Sequence, residues 1–242
     1  MNDSGRFQRV AGISAILLPL ITTGNVITLF APINNNANAL TDPALLLSVG
    51  ARGANLFHWS MVFDIFSYLA FAPLALFCWV WFKDQNRGMV LLYTCCGLAY
   101  SFLGSIGAAI LGAVIPKMIN DYAAASAAQQ EAMRIVAGTF YQAISHGVWN
   151  PLEILMVSLW FLGIGWRLLK ERRGLGILAL VISSFALLDP LGWILNNDLI
   201  FNIGGGGTIL IQFWSLWFGI DLLRRRVPLL ESLQPASGQQ RG

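Results

Sequence analysis

Three residues whose types could do chemistry share one spacing: His146, Asn150 and Glu153 stand at i, i+4 and i+7 within an apolar run over 137–169. On an α-helix that spacing lines an imidazole, an amide and a carboxylate along one face. Of these, His146 and Glu153 are the pair best suited to exchange a proton. Asn25, Asp64 and Asp189 place further polar groups inside three other apolar runs. An ionisable side chain at the centre of a bilayer costs at least about 2.5 kcal/mol on insertion scales, so such groups face a protein interior or a wet cavity. Each also has a plain packing role. His146 can donate to a carbonyl or to Glu153, and Asp64 can bond Tyr68 at i+4. Glu153 and Asp189 can join helices as hydrogen-bonding glue worth ~0.6–2 kcal/mol.

The elements that must position these groups follow from composition. The 242 residues are 56% hydrophobic and 11% charged, against roughly 25% charged residues in soluble domains, so a water-exposed surface cannot be assembled from this inventory. Six apolar runs, 10–30, 57–82, 89–115, 137–166, 175–195 and 208–223, are long enough to cross about 30 Å of hydrocarbon. The expected fold is therefore all-α, an integral membrane bundle of six transmembrane helices in one domain over 1–230. A disordered cytoplasmic tail is expected over 231–242. The last span is the shortest, and Gly204, Gly205, Gly206 and Gly207 before it read as a flexible loop.

Basic residues set the expected orientation. Arg6, Arg9, Lys83, Arg87, Arg167, Lys170, Arg172, Arg173, Arg224, Arg225, Arg226 and Arg241 fall on one side of the six spans, and only Arg52, Lys117 and Arg134 on the other. The positive-inside rule then places both termini in the cytoplasm, in the bacterial inner (plasma) membrane. Trp79, Trp81 and Trp166 fall at cytoplasmic helix ends, as interfacial aromatics do. A cleaved signal peptide, ending at Ala37-Asn38-Ala39, fits less well because the apolar run is too long. In the outer loops, Asp42-Pro43 reads as an N-cap with proline at N1, opening a short helix through Val49. Residues 117–134 read as a second short helix lying at the interface.

With topology assigned, Asn25, Asp64, His146 and Asp189 fall toward the outer leaflet, and Glu153 near the midplane. One polar pocket opening outward between spans one, two, four and five would hold Asn25, Asp64, His146, Asn150, Glu153 and Asp189 together. Asn150-Pro151 and Asp189-Pro190 support it, since a proline leaves backbone carbonyls that need a polar neighbour. Gly97, Ser101, Ser105 and Ala109 recur every four residues in span three, which suits close helix packing.

Other chemistries have little support. Cys78, Cys95 and Cys96 read as free thiols in apolar surroundings. His58 sits about eight residues away in depth from His146, which argues against a bis-histidine haem, and one well-placed histidine is thin for zinc. No cofactor or metal is expected. The cluster Arg224-Arg225-Arg226 suits anionic lipid heads, so membrane lipids are the expected partners and nucleic acid is not.

The chain resembles a family of bacterial multi-pass membrane proteins known only as a domain of unknown function. The likeness spans Arg9 to about Asn197, on Arg9-Val10-Ala11-Gly12 and on Trp149-Asn150-Pro151-Leu152-Glu153 before the aromatic run from Trp160 to Trp166. It implies six helices and the inner membrane, and brings no activity, cofactor or catalytic residue. The leading expectation is a protein whose outward polar pocket binds or passes a small or amphiphilic ligand. A membrane-embedded enzyme acting on a lipid-linked substrate, and a structural subunit of a membrane complex, are the alternatives.

Overall fold

The computed structural model describes residues 3–36 and 38–225. Ala37 of the signal-peptide reading, Arg226, Arg241 and the tail over 231–242 lie outside the described residues. Every regular element among those residues is helical: α1 (Asp3–Phe30), a 310 turn (Ala31–Ile33), α2 (Asn38–Thr41), α3 (Pro43–Leu47), α4 (Gly50–Phe82), α5 (Arg87–Tyr122) and α6 (Ala127–Gln142). A π-helical segment (Ala143–Glu153) follows, then α7 (Ile154–Glu171), α8 (Arg173–Ala186), α9 (Leu188–Ile194), α10 (Asp198–Gly207) and α11 (Ile209–Arg224). Six stretches are long and apolar enough to cross a membrane: Gly5–Ile33, Gly50–Phe82, Arg87–Tyr122, Ala127–Glu171, Arg173–Ile194 and Asp198–Arg224. The chain is an all-α, multi-pass membrane protein.

Two expectations about connections change. The expected interfacial helix over 117–134 does not form as a separate element. α5 continues to Tyr122 and α6 restarts at Ala127, behind a capping box of Ser126 and Gln129. At 36 residues α5 is about 54 Å long, well beyond about 30 Å of hydrocarbon, so its end projects as half of a helical hairpin. The hairpin is tied by Arg134 Nε donating to the Tyr122 hydroxyl at 2.6 Å and Gln130 Nε2 to the Tyr122 carbonyl at 3.1 Å. The helix opened by Asp42 is present: its carboxylate accepts from the Ala44 and Leu45 amides at 2.8 and 3.4 Å.

The second change concerns the glycine run, which is helix and not loop. It closes α10, which α11 continues, so the sixth span starts ten residues earlier than the apolar run does. The glycines serve packing: a Cβ on Gly204 would lie 2.2 Å from the Asp189 amide nitrogen, and one on Gly192 2.3 Å from that of Phe201. Helices α9 and α10 thus approach backbone to backbone. The glycines of α5 work differently, because they seat aromatic rings. A Cβ on Gly97 would meet Trp160, on Gly104 Tyr68 and on Gly107 Trp149, each within 2.5 Å.

Buried apolar side chains form two clusters. One, toward the basic end, joins Leu18, Phe71, Cys78, Trp81, Phe82, Cys96, Trp160, Phe161, Trp214 and Phe218. Its rings pack edge to face or stacked, with Phe71 and Trp160 centroids 4.7 Å apart and Trp214 and Phe218 4.6 Å apart. Trp81, near the end of α4, is buried within the bundle, whereas Trp166 is exposed. The other cluster joins Leu46, Phe57, Met61, Leu111, Ile115, Ile119 and Ile144. Of the cysteines, Cys78 and Cys96 are buried and Cys95 is exposed on its helix.

At the basic end the helix termini are cross-linked. Arg172 Nε donates to Asp221 Oδ2 at 2.9 Å, Trp81 Nε1 to Glu171 at 3.0 Å, and Gln8 Nε2 to the Leu222 carbonyl at 2.6 Å. The ends of spans one, two, four, five and six therefore meet there. Gly204→Ala is expected to lower thermal stability by about 1–3 kcal/mol, since a backbone cannot yield as a side chain can. Gly206→Ala, with open space around it, is the control and is expected to be neutral or stabilising. Thermal unfolding of both variants in detergent checks this.

Candidate functional site

Between the two apolar clusters lies a polar layer. On α4 it begins after Met61 and ends before Phe71, holding Asp64, Ser67 and Tyr68. On α5 it lies between Cys96 and Ala108 and holds Tyr100, Ser101 and Ser105. Most hydroxyls here satisfy themselves on helix backbone: Ser105 Oγ donates to the Ser101 carbonyl at 2.8 Å, and Ser101 Oγ to the Tyr68 carbonyl. Thr22 on α1 and Ser67 on α4 share a hydrogen bond of 2.9 Å between hydroxyls. In hydrocarbon no water reaches such groups, so helix–helix bonds are where their polarity goes.

One part of the layer is open. A cavity of about 610 Å3 is walled by Pro19, Thr22 and Thr23 of α1, Asp64, Ser67 and Tyr68 of α4, Tyr100 of α5, Glu153, and Thr208, Gln212 and Phe213 around α11. All of these lie roughly midway along their membrane-crossing stretches. The Tyr68 phenol interacts with the Glu153 carboxyl group, and Asp64 and Asp189 are near enough for their charges to act on it. Glu153 is 2% exposed, yet its Oε2 has no hydrogen-bond partner, and neither has the buried Oε1 of Gln212. Leaving a buried acceptor unpaired costs about 1–3 kcal/mol, more for a charged group, so native structures hold few of them.

The π-helical segment explains why Glu153 reaches this place. Hydrogen bonds from i to i+5 widen the turn, so each residue advances roughly 80° instead of about 100°. Over the seven residues from His146 to Glu153 an α-helix returns to nearly the same side, whereas π winding ends roughly 160° away from it. The expected stripe is therefore split. Glu153 turns into the cavity, and His146 turns elsewhere: its Nδ1 bonds Ser145 Oγ at 2.8 Å and its ring stacks on Phe201 at 5.9 Å. His146 also lines a separate cleft of about 130 Å3 with Leu40, Pro43 and Tyr141.

Of the six residues expected to share one pocket, the structure brings Asp64 and Glu153 to its wall and sets four apart from it. Asn25 is locked onto α4, donating from Nδ2 to the Ser60 carbonyl at 2.9 Å and to Ser60 Oγ at 3.2 Å. His146 is diverted by the winding just described. Asn150 is half-buried in the same π-helical segment, outside the cavity wall. Asp189 is buried behind Glu153, packed against Gly204, with its Oδ1 lacking a partner. Span six replaces span five as a wall, and α5 joins it. Thr22, Thr23, Ser67, Tyr100 and Gln212 went unnoticed in the sequence. Gln212 carried the readable signal, an amide in the middle of an otherwise apolar run.

Among the described residues no group of three or more His, Cys, Asp or Glu side chains is arranged to hold a metal ion. A family model, Domain of unknown function (DUF4386), matches residues 10–225. The chain belongs to this family. No curated protein and no solved structure matches it. The match covers every membrane-crossing stretch from Val10 onward, so the cavity lies wholly within the DUF4386 region.

The layer's two kinds of polar group are expected to differ in stability. Asn25→Leu removes satisfied bonds and lowers stability by about 1 kcal/mol. Gln212→Met removes an unpaired acceptor and leaves stability unchanged or raised. Chemical or thermal unfolding distinguishes them, and equal losses would make Gln212 a structural group.

Proposed function

We propose that this DUF4386 protein binds a small or amphiphilic ligand in the cavity beside Asp64 and Glu153, either holding it or passing it across the membrane. The observation that carries this reading is the pair of unpartnered buried acceptors, Glu153 Oε2 and Gln212 Oε1, at a cavity of about 610 Å3. Ligand pockets run to roughly 300–1,000 Å3 with a few convergent polar groups on otherwise apolar walls. A purely structural role for the polar layer would have its polar groups closed by neighbouring helices, as the donors of Asn25 and Ser101 are. The carboxyl pair also suits acid and base work on a lipid-linked substrate, and that enzymatic reading stands second.

The same reading places the protein in the bacterial inner membrane with both termini cytoplasmic. It rests on the excess of Lys and Arg at one set of helix ends. A thiol probe that does not cross membranes is expected to label Ser126→Cys from outside intact cells and not Gln85→Cys, each in a background lacking Cys95; the reverse pattern inverts the orientation.

A thermal-shift screen of amphiphiles against the purified protein tests the site. A ligand that binds only the folded state raises Tm with its concentration. The shift is expected to fall at least tenfold in apparent affinity in Glu153→Gln and Asp64→Asn, and to persist in His146→Ala. Ligands that shift all four proteins equally would remove Asp64 and Glu153 from the site.

A further inference from the structure

Helices α1 and α11 are packed neighbours that run antiparallel, with a close backbone approach toward the basic end. There Gly12 and Gly219 face each other, a Cβ on Gly219 lying 2.7 Å from the Gly12 carbonyl oxygen, and Gln8 donates to the carbonyls of Leu222 and Arg225, both at 2.6 Å. The same register continued along both helices sets Pro19 opposite Gln212 and Thr23 opposite Thr208. At that level the two helices form opposing walls of the cavity. Pro19 lies at the level of the cavity. Its ring removes a backbone donor from α1, and Thr23 Oγ1 takes up the Pro19 carbonyl at 2.7 Å.

The rim of the opening is apolar and exposed. Ile27 of α1 is 62% exposed, Ile209 63% and Phe213 62%, and Val26 and Leu216 join them. All sit within membrane-crossing stretches, Ile209, Phe213 and Leu216 near the middle and Val26 and Ile27 toward one end, where the surroundings are acyl chains. The interior differs from the rim. It presents the carboxyl groups of Asp64 and Glu153 and the free Gln212 Oε1, beside the rings of Tyr68 and Tyr100, whose centroids are 5.2 Å apart in an edge-to-face pair. Among the described residues no Lys, Arg or His lines it. An anionic headgroup would meet two carboxyl groups and no cation. An ammonium group would give N–H donors to the unpaired acceptors, and its charge would sit by aromatic faces.

We infer that the cavity opens sideways past the exposed rim residues of α1 and α11, a lateral window through which an amphiphile with an ammonium headgroup and an alkyl chain enters from the lipid, its head seated at Asp64 and Glu153 and its chain leaving past Ile27 and Phe213. This rests on the ligand-binding reading above and adds to it the sign of the ligand and its route.

The test uses the full chain in phosphatidylcholine nanodiscs, with empty discs subtracted, and three probes of one chain length: octylammonium, octanol and octanoate. Octylammonium is expected to bind saturably to the wild-type protein and at least tenfold more weakly to Glu153→Gln, while octanoate shows no saturable binding. Octanol or octanoate binding as tightly as octylammonium, with the same loss in Glu153→Gln, overturns the cationic class and leaves the pocket. Saturable binding by none of the three overturns the pocket reading itself for ligands of this kind. The route is read separately, from a spin label at Thr22→Cys in a background lacking Cys95. Relaxation by oxygen, which partitions into lipid, is expected to exceed relaxation by a water-soluble nickel chelate. A stronger effect of the chelate, or no effect of either, overturns the lateral window whatever the probes show.

Discussion

Hydrocarbon offers a polar group no partner, and the arrangement of this bundle depends on that. Two apolar clusters, one built on Trp160 and Trp214 and one on Phe57 and Ile115, are separated by a layer of hydroxyl, amide and carboxyl groups midway along the helices. A polar layer at this depth is stable only where its members bond to one another or to helix backbone. Most do. Asn25 ties α1 to α4 through Ser60, Thr22 ties the same helices through Ser67, and Ser183 ties α8 to the Ser158 carbonyl at 2.9 Å. These bonds hold spans together at a level where apolar packing alone specifies little, because lipid tails are as apolar as leucine.

Against that background the unclosed part of the layer stands out. Glu153 and Gln212 keep buried acceptors without partners while serines nearby find carbonyls to which to donate. A bundle selected for stability alone would have closed them, since an unpaired buried acceptor costs more than a hydrogen bond contributes. Asp189 Oδ1 and Trp160 Nε1 are unpaired as well, but Glu153 and Gln212 are the two whose free acceptors lie on the wall of the cavity.

Eleven residues of π winding lead into the cavity wall at Glu153. They hold Pro151, which has no N–H to give to any helical ladder, and they end at Glu153. Wide winding is uncommon and is found at functional positions, because it re-aims side chains without ending the helix. Here it moves a carboxyl group from the His146 side to the Asp64 side. Gly104 and Gly107 on α5 complete the arrangement by leaving room for the Tyr68 and Trp149 rings, so aromatic side chains rather than helix backbones fill the space beside the wider turn.

The order of information follows from these facts. Crossing number, helix class and the Asp42 cap were legible along the chain, because apolar run length, charge placement and cap chemistry are local properties. That some intramembrane carboxyl groups share a chamber was legible too, at Asp64 and Glu153, since the cost of an isolated charge in oil needs no knowledge of the fold. Which groups share it was not. Asn25 and Asp189 are as polar as Asp64, and only their neighbours, Ser60 in one case and Gly204 in the other, take them out of the cavity. His146 and Glu153 look coplanar at α-helical pitch, and one change of winding, which depends on packing against α5 and α9, separates them. Spacing sets a residue's angle only after the pitch is known, and the pitch is decided by what the helix packs against.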